Sequence, residues 1–172
     1  MAKDAIEAIM ERRSVRKYKP QPIPNEHLMT ILEAARQAPS AGNRQPWRFV
    51  VARDPDVKRR LGEACNNQTW IADADVIIAG LSVPAESERW HDKDVMIAMQ
   101  NLIIAATALG YGTCWIGAFN QEKVKEVLGI PEDINVVALT PVGVPDEFPK
   151  QRPRKDMSQL FFSDQYGREL KL

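Results

Sequence analysis

Three arginines and a serine occupy five consecutive positions near the start of the chain, in the run Arg12-Arg13-Ser14-Val15-Arg16. Each guanidinium can donate two parallel, charge-assisted hydrogen bonds to oxygen atoms, and the hydroxyl adds another donor. This donor set suits a phosphate group. Taken alone, however, the run is better explained as solvated surface or as compensation of a helix dipole. An anion site therefore needs support from elsewhere in the sequence.

The bulk composition favours one globular domain over residues 1–172. The chain is 44% apolar and 27% charged, with a formal net charge of zero. These values are typical of soluble proteins that bury a core. Neutrality gives no support for a nucleic-acid or membrane partner, because binding to either draws on excess positive charge.

The sequence also indicates a cytoplasmic location. Asp4, Glu7 and Glu11 interrupt the N-terminal segment, which therefore lacks the apolar core of a secretory signal. No apolar stretch reaches the length of a membrane span. Cys65 and Cys114 lie far apart without a CxxC motif, so a disulfide framework is not expected.

Apolar periodicity and turn residues predict alternating helices and strands, in the class α/β or α+β. Ile6, Ile9 and Met10 form the apolar side of a short first helix. The predicted helices are 4–11, one from Asn25 to before Pro39, one opening at Asp54-Pro55, 94–109 and 121–128. The predicted strands are 48–53, 76–83, 113–119 and 135–144.

The segment 94–109 is apolar nearly all round, which predicts that both of its faces are buried. A monomer of this size rarely buries one helix so completely, so a dimer interface is expected. The tail after Pro145 is basic and then apolar, as in a segment that a partner holds in place.

Several catalytic signatures are missing from the sequence. Trp115 stands where a GxGxxG fingerprint beginning at Gly110 would need its last glycine, and no P-loop, HExxH or GxSxG motif occurs. His27, expected on a helix surface, and His91, expected in a polar loop, supply too few ligands for zinc. Any chemistry is therefore expected to belong to a cofactor.

Four further segments could contact a ligand: 39–47, 65–68, 112–119 and 152–154. The first has small residues for close backbone approach, with Ser40 and Asn43 as donors and Trp47 as a wall. Each segment taken singly is more simply a loop or a strand end.

In this order, however, the segments strongly resemble the nitroreductase superfamily of FMN-dependent oxidoreductases. The resemblance runs from RRSVR at 12–16 through APSAGNRQPW at 38–47 and AATALGYGTCWIGAF at 105–119 to RPR at 152–154. It spans almost the whole chain. It implies an α+β fold with a central mixed or antiparallel sheet flanked by helices, and an intertwined homodimer whose tail 145–172 packs on the partner subunit.

The resemblance also implies two FMN sites at the subunit interface. The positions matching the FMN phosphate and ribityl site are Arg12, Arg13, Ser14, Arg152 and Arg154. Those matching the pyrimidine edge of the flavin are Arg16 and Asn67. The loop brought by the other subunit corresponds to Pro39, Ser40, Ala41, Asn43 and Gln45. The segment whose backbone approaches the reactive ring nitrogen corresponds to Trp115, Ile116 and Gly117.

The implied activity is hydride transfer from NAD(P)H through FMN to an acceptor such as a nitroaromatic or a quinone, by ping-pong kinetics. Two alternatives stay open. One is a specialised flavin reaction on a small metabolite, such as dehalogenation or oxidation. The other is a flavin-binding electron carrier without turnover of its own. The short region 84–92 leaves the substrate lid undetermined, and Trp90 is open between ligand stacking and packing.

Overall fold

A computed structural model describes residues 3–171 of the chain. Within them lie five α-helices and four strands, which confirm the α+β class. The helices are α1 (Ala5–Glu11), α2 (Asn25–Arg36), α3 (Pro55–Ala64), α4 (His91–Ala108) and α5 (Gln121–Leu128). The strands are β1 (Trp47–Ala52), β2 (Val76–Ser82), β3 (Gly112–Thr113) and β4 (Asn135–Gly143). Residues 1, 2 and 172 of the predicted domain and tail lie outside the described part.

The four strands form one antiparallel sheet in the order β1-β2-β4-β3. Side chains of β2 alternate between two cores, with Ile78 packed among residues of α2 and α4 and Ile77 among residues of α3 and α5. Because helices cover both faces, β2 is buried at every position. This explains why its sequence is a continuous apolar run.

Side-chain caps explain why the predicted helix starts agree with the structure. The Asp54 carboxylate accepts the Val57 backbone N–H at the start of α3, and the Asn120 side chain accepts the Lys123 N–H at the start of α5. Asp4 caps α1 in the same way. Such caps satisfy backbone donors that have no partner within the helix.

Helix α4 begins three residues earlier than its apolar pattern predicts. The Ser87 carbonyl accepts the His91 N–H at 3.0 Å, and Asp92 and Asp94 occupy the first turn, where acidic side chains favour the helix dipole. His91 is therefore in a helix, and the prediction of a loop is wrong. Its Nδ1 lies 2.9 Å from the Ser82 hydroxyl at the end of β2.

The predicted strand 113–119 is also wrong in extent, because β3 ends at Thr113 and only Ile116 pairs again with β4. Ile116 and Leu139 exchange both backbone hydrogen bonds, at 2.8 and 3.0 Å. Such pairs recur at every second residue of an antiparallel ladder, so the next would join Cys114 to Pro141. Proline has no N–H to donate. The ladder is interrupted there.

The first helix forms as predicted, but its apolar side is exposed on the surface of the single chain. Ala8 is the buried residue of α1, whereas Ile6 and Met10 are 70% and 65% exposed. Met96 and Ile97 of α4 are also exposed, so the chain alone does not bury α4 all round. No helix among residues 3–171 is long and apolar enough to cross a membrane.

The close approach of three segments at Gly143 gives a test of the packing. A Cβ atom at this position would lie 2.9 Å from the Tyr18 ring and 3.2 Å from backbone atoms of Ala74 and Asp75. Gly143→Ala should therefore lower the free energy of unfolding by about 1–3 kcal/mol, measured by urea denaturation. Gly117→Ala is the matched control, since its Cβ would meet only the Trp115 ring, at 3.7 Å. Equal stability of the two variants would contradict this packing.

Candidate functional site

The arginine run and the basic tail meet in one cleft of about 300 Å³. Its walls come from the segment that follows α1 and from the tail that follows β4, more than one hundred residues later. The lining residues are Arg12, Arg13, Ser14, Arg16, Pro149, Lys150, Gln151, Arg152 and Arg154. The structure thus brings together both arginine clusters that the sequence singled out.

Backbone hydrogen bonds hold both walls of this arginine cleft. The Val15 N–H donates to the Thr113 carbonyl at 2.9 Å, which fixes the arginine run along β3. The Lys19 N–H donates to the Val144 carbonyl, and the Asp146 N–H to the Lys17 carbonyl, both at 2.9 Å. The tail therefore leaves β4 alongside the N-terminal segment.

Six basic side chains line the arginine cleft, and no carboxylate does. Among residues 3–171, Arg12 and Arg152 make no ion pair. Cations gathered without a counter-charge repel one another. Because the whole chain is neutral, this local excess is a property of the cleft and suits an anion with several oxygen atoms.

Arg13 differs from the other arginines because its guanidinium is occupied by protein groups. Nη1 donates to the carbonyls of Met10 at 3.0 Å and Arg12 at 2.9 Å, and Nη2 donates to Gln151 Oε1 at 3.3 Å. Arg13 thereby ties the end of α1 to the tail. It braces the cleft, whereas Arg12 keeps its donors available.

Cys114, directly after β3, is buried close to Arg16, Arg12 and Ser14 of the arginine cleft. Burial raises the pKa of this thiol, while the guanidiniums of Arg16 and Arg12 and a hydrogen bond from Ser14 act in the opposite direction. Beyond it, Trp115 is 38% exposed, and Ile116 is buried with both backbone groups bonded to Leu139. Of the three predicted backbone positions, Ile116 therefore has no free N–H.

Asn67 lies beside this segment, in a tight turn after α3. Asn66 and Asn67 both adopt left-handed backbone angles, with φ of 55° and 58°, a conformation that asparagine tolerates better than most residues. The Gln68 side chain donates to the Ala118 carbonyl at 3.3 Å, which ties the turn to the segment after Gly117. Arg16, Trp115 and Asn67 are all exposed, and the segments that carry them are connected by the pairing of Ser14 with Thr113 and the contact of Gln68 with Ala118. We call these three residues the strip.

The loop 39–45 does not join this strip within the chain. It precedes β1 on the far edge of the sheet, and the Ala41 N–H donates to Asp94 Oδ2 at 3.2 Å. At the end of the sheet next to this loop, Trp47 of β1 pairs with Ser82 of β2, and Ser82 pairs with Asn135 of β4. β3 pairs with Val142, at the opposite end of β4. The strip segment itself pairs with β4 through Ile116 and Leu139, four residues from Asn135, or about 13 Å at 3.3 Å per residue. Across the sheet, three strand spacings, about 14 Å, separate the strands β1 and β3.

Comparison with known proteins places this architecture in a family. A sequence profile described as Nitroreductase family matches residues 9–80 and 65–144. The chain belongs to the nitroreductase family. An NADH dehydrogenase of Thermus thermophilus is 32% identical over 187 residues, covering 87% of this chain and 91% of that protein.

Solved structures support the same membership of the nitroreductase family. A nitroreductase family protein from Clostridium novyi NT is 34% identical, covers 96% of each chain and has a TM-score of 0.79. The NADPH:FMN oxidoreductase of Vibrio harveyi, solved in complex with NAD+, is 27% identical and covers 97% of this chain and 79% of that chain, with a TM-score of 0.87.

Some residues of the site lie outside the motifs that carry the family resemblance. Lys150 and Gln151 line the arginine cleft, and their nearness to Arg152 in sequence is a signal that could have found them. Glu147 accepts the Arg16 backbone N–H at 2.7 Å. Nothing in the sequence points to Glu147, because a carboxylate beside an anion site runs against the charge pattern.

The environment of Cys114 predicts how this thiol reacts. In a Cys65→Ala background, the pH midpoint for alkylation of Cys114 by iodoacetamide should lie above the ordinary thiol value of about 8.5, because burial disfavours the thiolate. Arg16→Ala should move the midpoint higher still, since a nearby cation favours the thiolate. A midpoint at or below the ordinary value would contradict this environment.

Proposed function

We propose that the protein is an FMN-dependent oxidoreductase that oxidises NAD(P)H and reduces a small electron acceptor. The observation that carries this proposal is the arginine cleft, whose six basic side chains suit the phosphate of a cofactor. Family membership and the names of its relatives, among them an FMN reductase [NAD(P)H] of Bacillus subtilis, support the same assignment.

The residues of the cleft fit the phosphate of FMN. Arg12, Arg152 and Arg154 supply guanidinium forks, and Ser14 supplies a hydroxyl between the phosphate and the ribityl chain. An FMN phosphate carries close to two negative charges at neutral pH, which would offset the repulsion among the cations. Lys150 adds a charge that the family motifs do not include.

The strip beyond the phosphate site fits a planar ring. Arg16 and Asn67 would donate to the oxygens of its pyrimidine edge. The Gly117 N–H has no backbone partner among residues 3–171 and would be a further donor, whereas the Ile116 N–H is bonded to Leu139. When bound, FMN supplies the hydride chemistry. The protein residues then orient the cofactor, and no acid–base side chain is required of them.

The overall reactions balance with one proton. A nitroarene, NAD(P)H and a proton give a nitroso compound, NAD(P)+ and water, and a quinone, NAD(P)H and a proton give a hydroquinone and NAD(P)+. We propose that donor and acceptor use the same space in turn, so that initial rates follow ping-pong kinetics. The two free, buried cysteines suit the reducing cytoplasm proposed as the compartment.

A homodimer would complete the site. The loop 39–45 precedes β1, whereas the strip lies beside β3, on the other edge of the four-stranded sheet of the same chain, so a second copy must supply the loop if it covers the flavin. The exposed apolar side chains Ile6, Met10, Met96 and Ile97 on α1 and α4 offer the surface for such a contact. The proposed partner of the tail 145–172 is the same second copy.

Removal of one phosphate donor tests the cofactor assignment. Arg12→Ala should weaken FMN binding by about tenfold, because one charge-assisted contact to the phosphate is lost. The measurement is the dissociation constant from flavin fluorescence at fixed salt. Arg60→Ala, which removes the same charge from the exposed side of α3, is the control and should leave FMN affinity unchanged. Protein that binds no FMN would overturn the proposed function.

Complementation tests whether each site uses two subunits. Arg12→Glu breaks the phosphate wall, and replacement of residues 41–43 by three glycines breaks the loop. If the loop comes from the partner, refolding the two inactive variants together should restore one intact site per mixed dimer, and hence NAD(P)H oxidation. If cleft and loop of one chain serve the same flavin, every site in the mixture carries one defect and activity stays absent.

A further inference from the structure

A second cleft, of about 290 Å³, lies where the chain enters α4. Arg44, from the loop before β1, forms one side, and the turn Glu86–Trp90 forms the other. None of these residues belongs to the arginine cleft or to the motifs that carry the family resemblance, apart from the position of Arg44 within the loop 39–47.

Hydrogen bonds fix the two sides of this entry cleft relative to each other. The Ala41 N–H donates to the buried Asp94 carboxylate, and the Val83 N–H donates to the Pro46 carbonyl at 3.0 Å. Asp94 lies one turn after Trp90 in α4, and its own N–H donates to the Trp90 carbonyl. The loop and the turn are therefore held as one unit, and the cleft is preformed.

Two arginines and two glutamates line the entry cleft, and they differ in their pairing. Arg44 and Arg89 make no ion pair with any residue in the part of the chain that the structure describes, whereas Glu86 is paired with Arg48. Glu88 is the remaining carboxylate of the lining. Lys93 adds a third cation, with its Nζ 4.8 Å from the centre of the Trp90 ring.

An aromatic surface and an unpaired hydroxyl accompany these cations. Trp90 is 48% exposed, which leaves much of a large apolar ring in contact with water. Ser87 is 95% buried, at 5% exposure, and its hydroxyl has no hydrogen-bond partner among residues 3–171. Buried hydroxyls normally find a partner, and Ser87, which belongs to the lining of the entry cleft, is an exception.

The backbone at Gly42 sets the position of Arg44. A Cβ atom on Gly42 would lie 3.2 Å from Arg44 Nη1, and Gly42 has φ of 58°. Glycine therefore allows both the turn and the close approach of the guanidinium. Arg44 is held on the side of the loop that faces Trp90, while Asn43 and Gln45 flank it within the segment proposed to cover the flavin of the partner.

We propose that the entry cleft binds the electron acceptor, and that the acceptor is an aromatic compound bearing a negatively charged group such as a carboxylate. Its ring stacks on Trp90, and its anionic group pairs with Arg44 and Arg89. This inference rests on the proposed function, because it places the acceptor beside the loop that covers the flavin. Under this proposal, Trp90 stacks on the ligand and is not a packing residue.

Two probes of matched shape test the inference in the FMN-loaded enzyme: 4-nitrobenzoate and its neutral analogue 4-nitrobenzamide. Arg44→Ala and Arg89→Ala should each lower kcat/KM for 4-nitrobenzoate by about three- to fivefold, as expected for a partly exposed ion pair. The rate with 4-nitrobenzamide should stay within experimental error. Trp90→Ala should lower kcat/KM for both probes, and Trp90→Phe should retain most of the rate.

Arg60→Ala is again the charge-matched control and should affect neither probe. Equal losses for both probes in the arginine variants would overturn the proposal, as would no change for either. The proposal would also be overturned if the arginine substitutions lowered kcat/KM for NADPH but not for NADH, because the cleft would then bind the additional phosphate of NADPH.

Ligand-observed NMR with 4-nitrobenzoate separates this proposal from the proposed function, since it needs no turnover. If the protein failed to oxidise NAD(P)H but still bound 4-nitrobenzoate in an Arg44- and Arg89-dependent manner, the ligand class of the cleft would be supported and the proposed function would be wrong. If the enzyme oxidised NAD(P)H but bound 4-nitrobenzoate independently of these arginines, the ligand proposed for the entry cleft would be wrong and the proposed function would stand.

Discussion

The candidate site depends on the backbone pairing of the N-terminal segment with β3 on one side and the tail on the other. Three hydrogen bonds near 2.9 Å, from Val15, Lys19 and Asp146, hold six cationic side chains around one cleft. Two like charges at contact distance repel by about 1 kcal/mol even in water. Main-chain pairing and the bracing contacts of Arg13 oppose that repulsion, so the cations remain gathered before an anion arrives.

The second constraint is a single missing hydrogen-bond donor. Pro141 has no N–H to donate to the Cys114 carbonyl, so the ladder between β3 and β4 breaks at Cys114 and resumes only at Ile116. In an edge strand, the backbone groups of alternate residues point away from the neighbouring strand. Trp115 and Gly117, on either side of the bonded Ile116, are exposed and direct their backbone groups away from β4. These two positions form the surface against which we place a planar ring.

Local sequence signals explain the helix starts that the sequence predicts correctly. The start signals of α3 and α5 act within a few residues, through Asp54 with Pro55 and through Asn120. Their effect, a helix start, can therefore be predicted without knowledge of the fold. The exposure of Ile6 and Met10 could not be predicted, because it depends on which side of α1 packs against α4. The sequence does not reveal that His91 is helical, because a polar first turn resembles a loop until its backbone partner, Ser87, is known.

The residues of the site divide in the same way. Arg12 and Arg152 could be joined only through a resemblance, since no property of either segment indicates the other. The loop 39–45 shows the same dependence on the fold: its motif predicts a flavin contact, whereas the sheet holds it at the opposite edge from the strip. In a twofold dimer, each residue of one subunit that crosses to its partner is matched by the same residue crossing back. The diagonal separation within one chain therefore implies two equivalent composite sites, provided that the loop and the cleft serve the same cofactor.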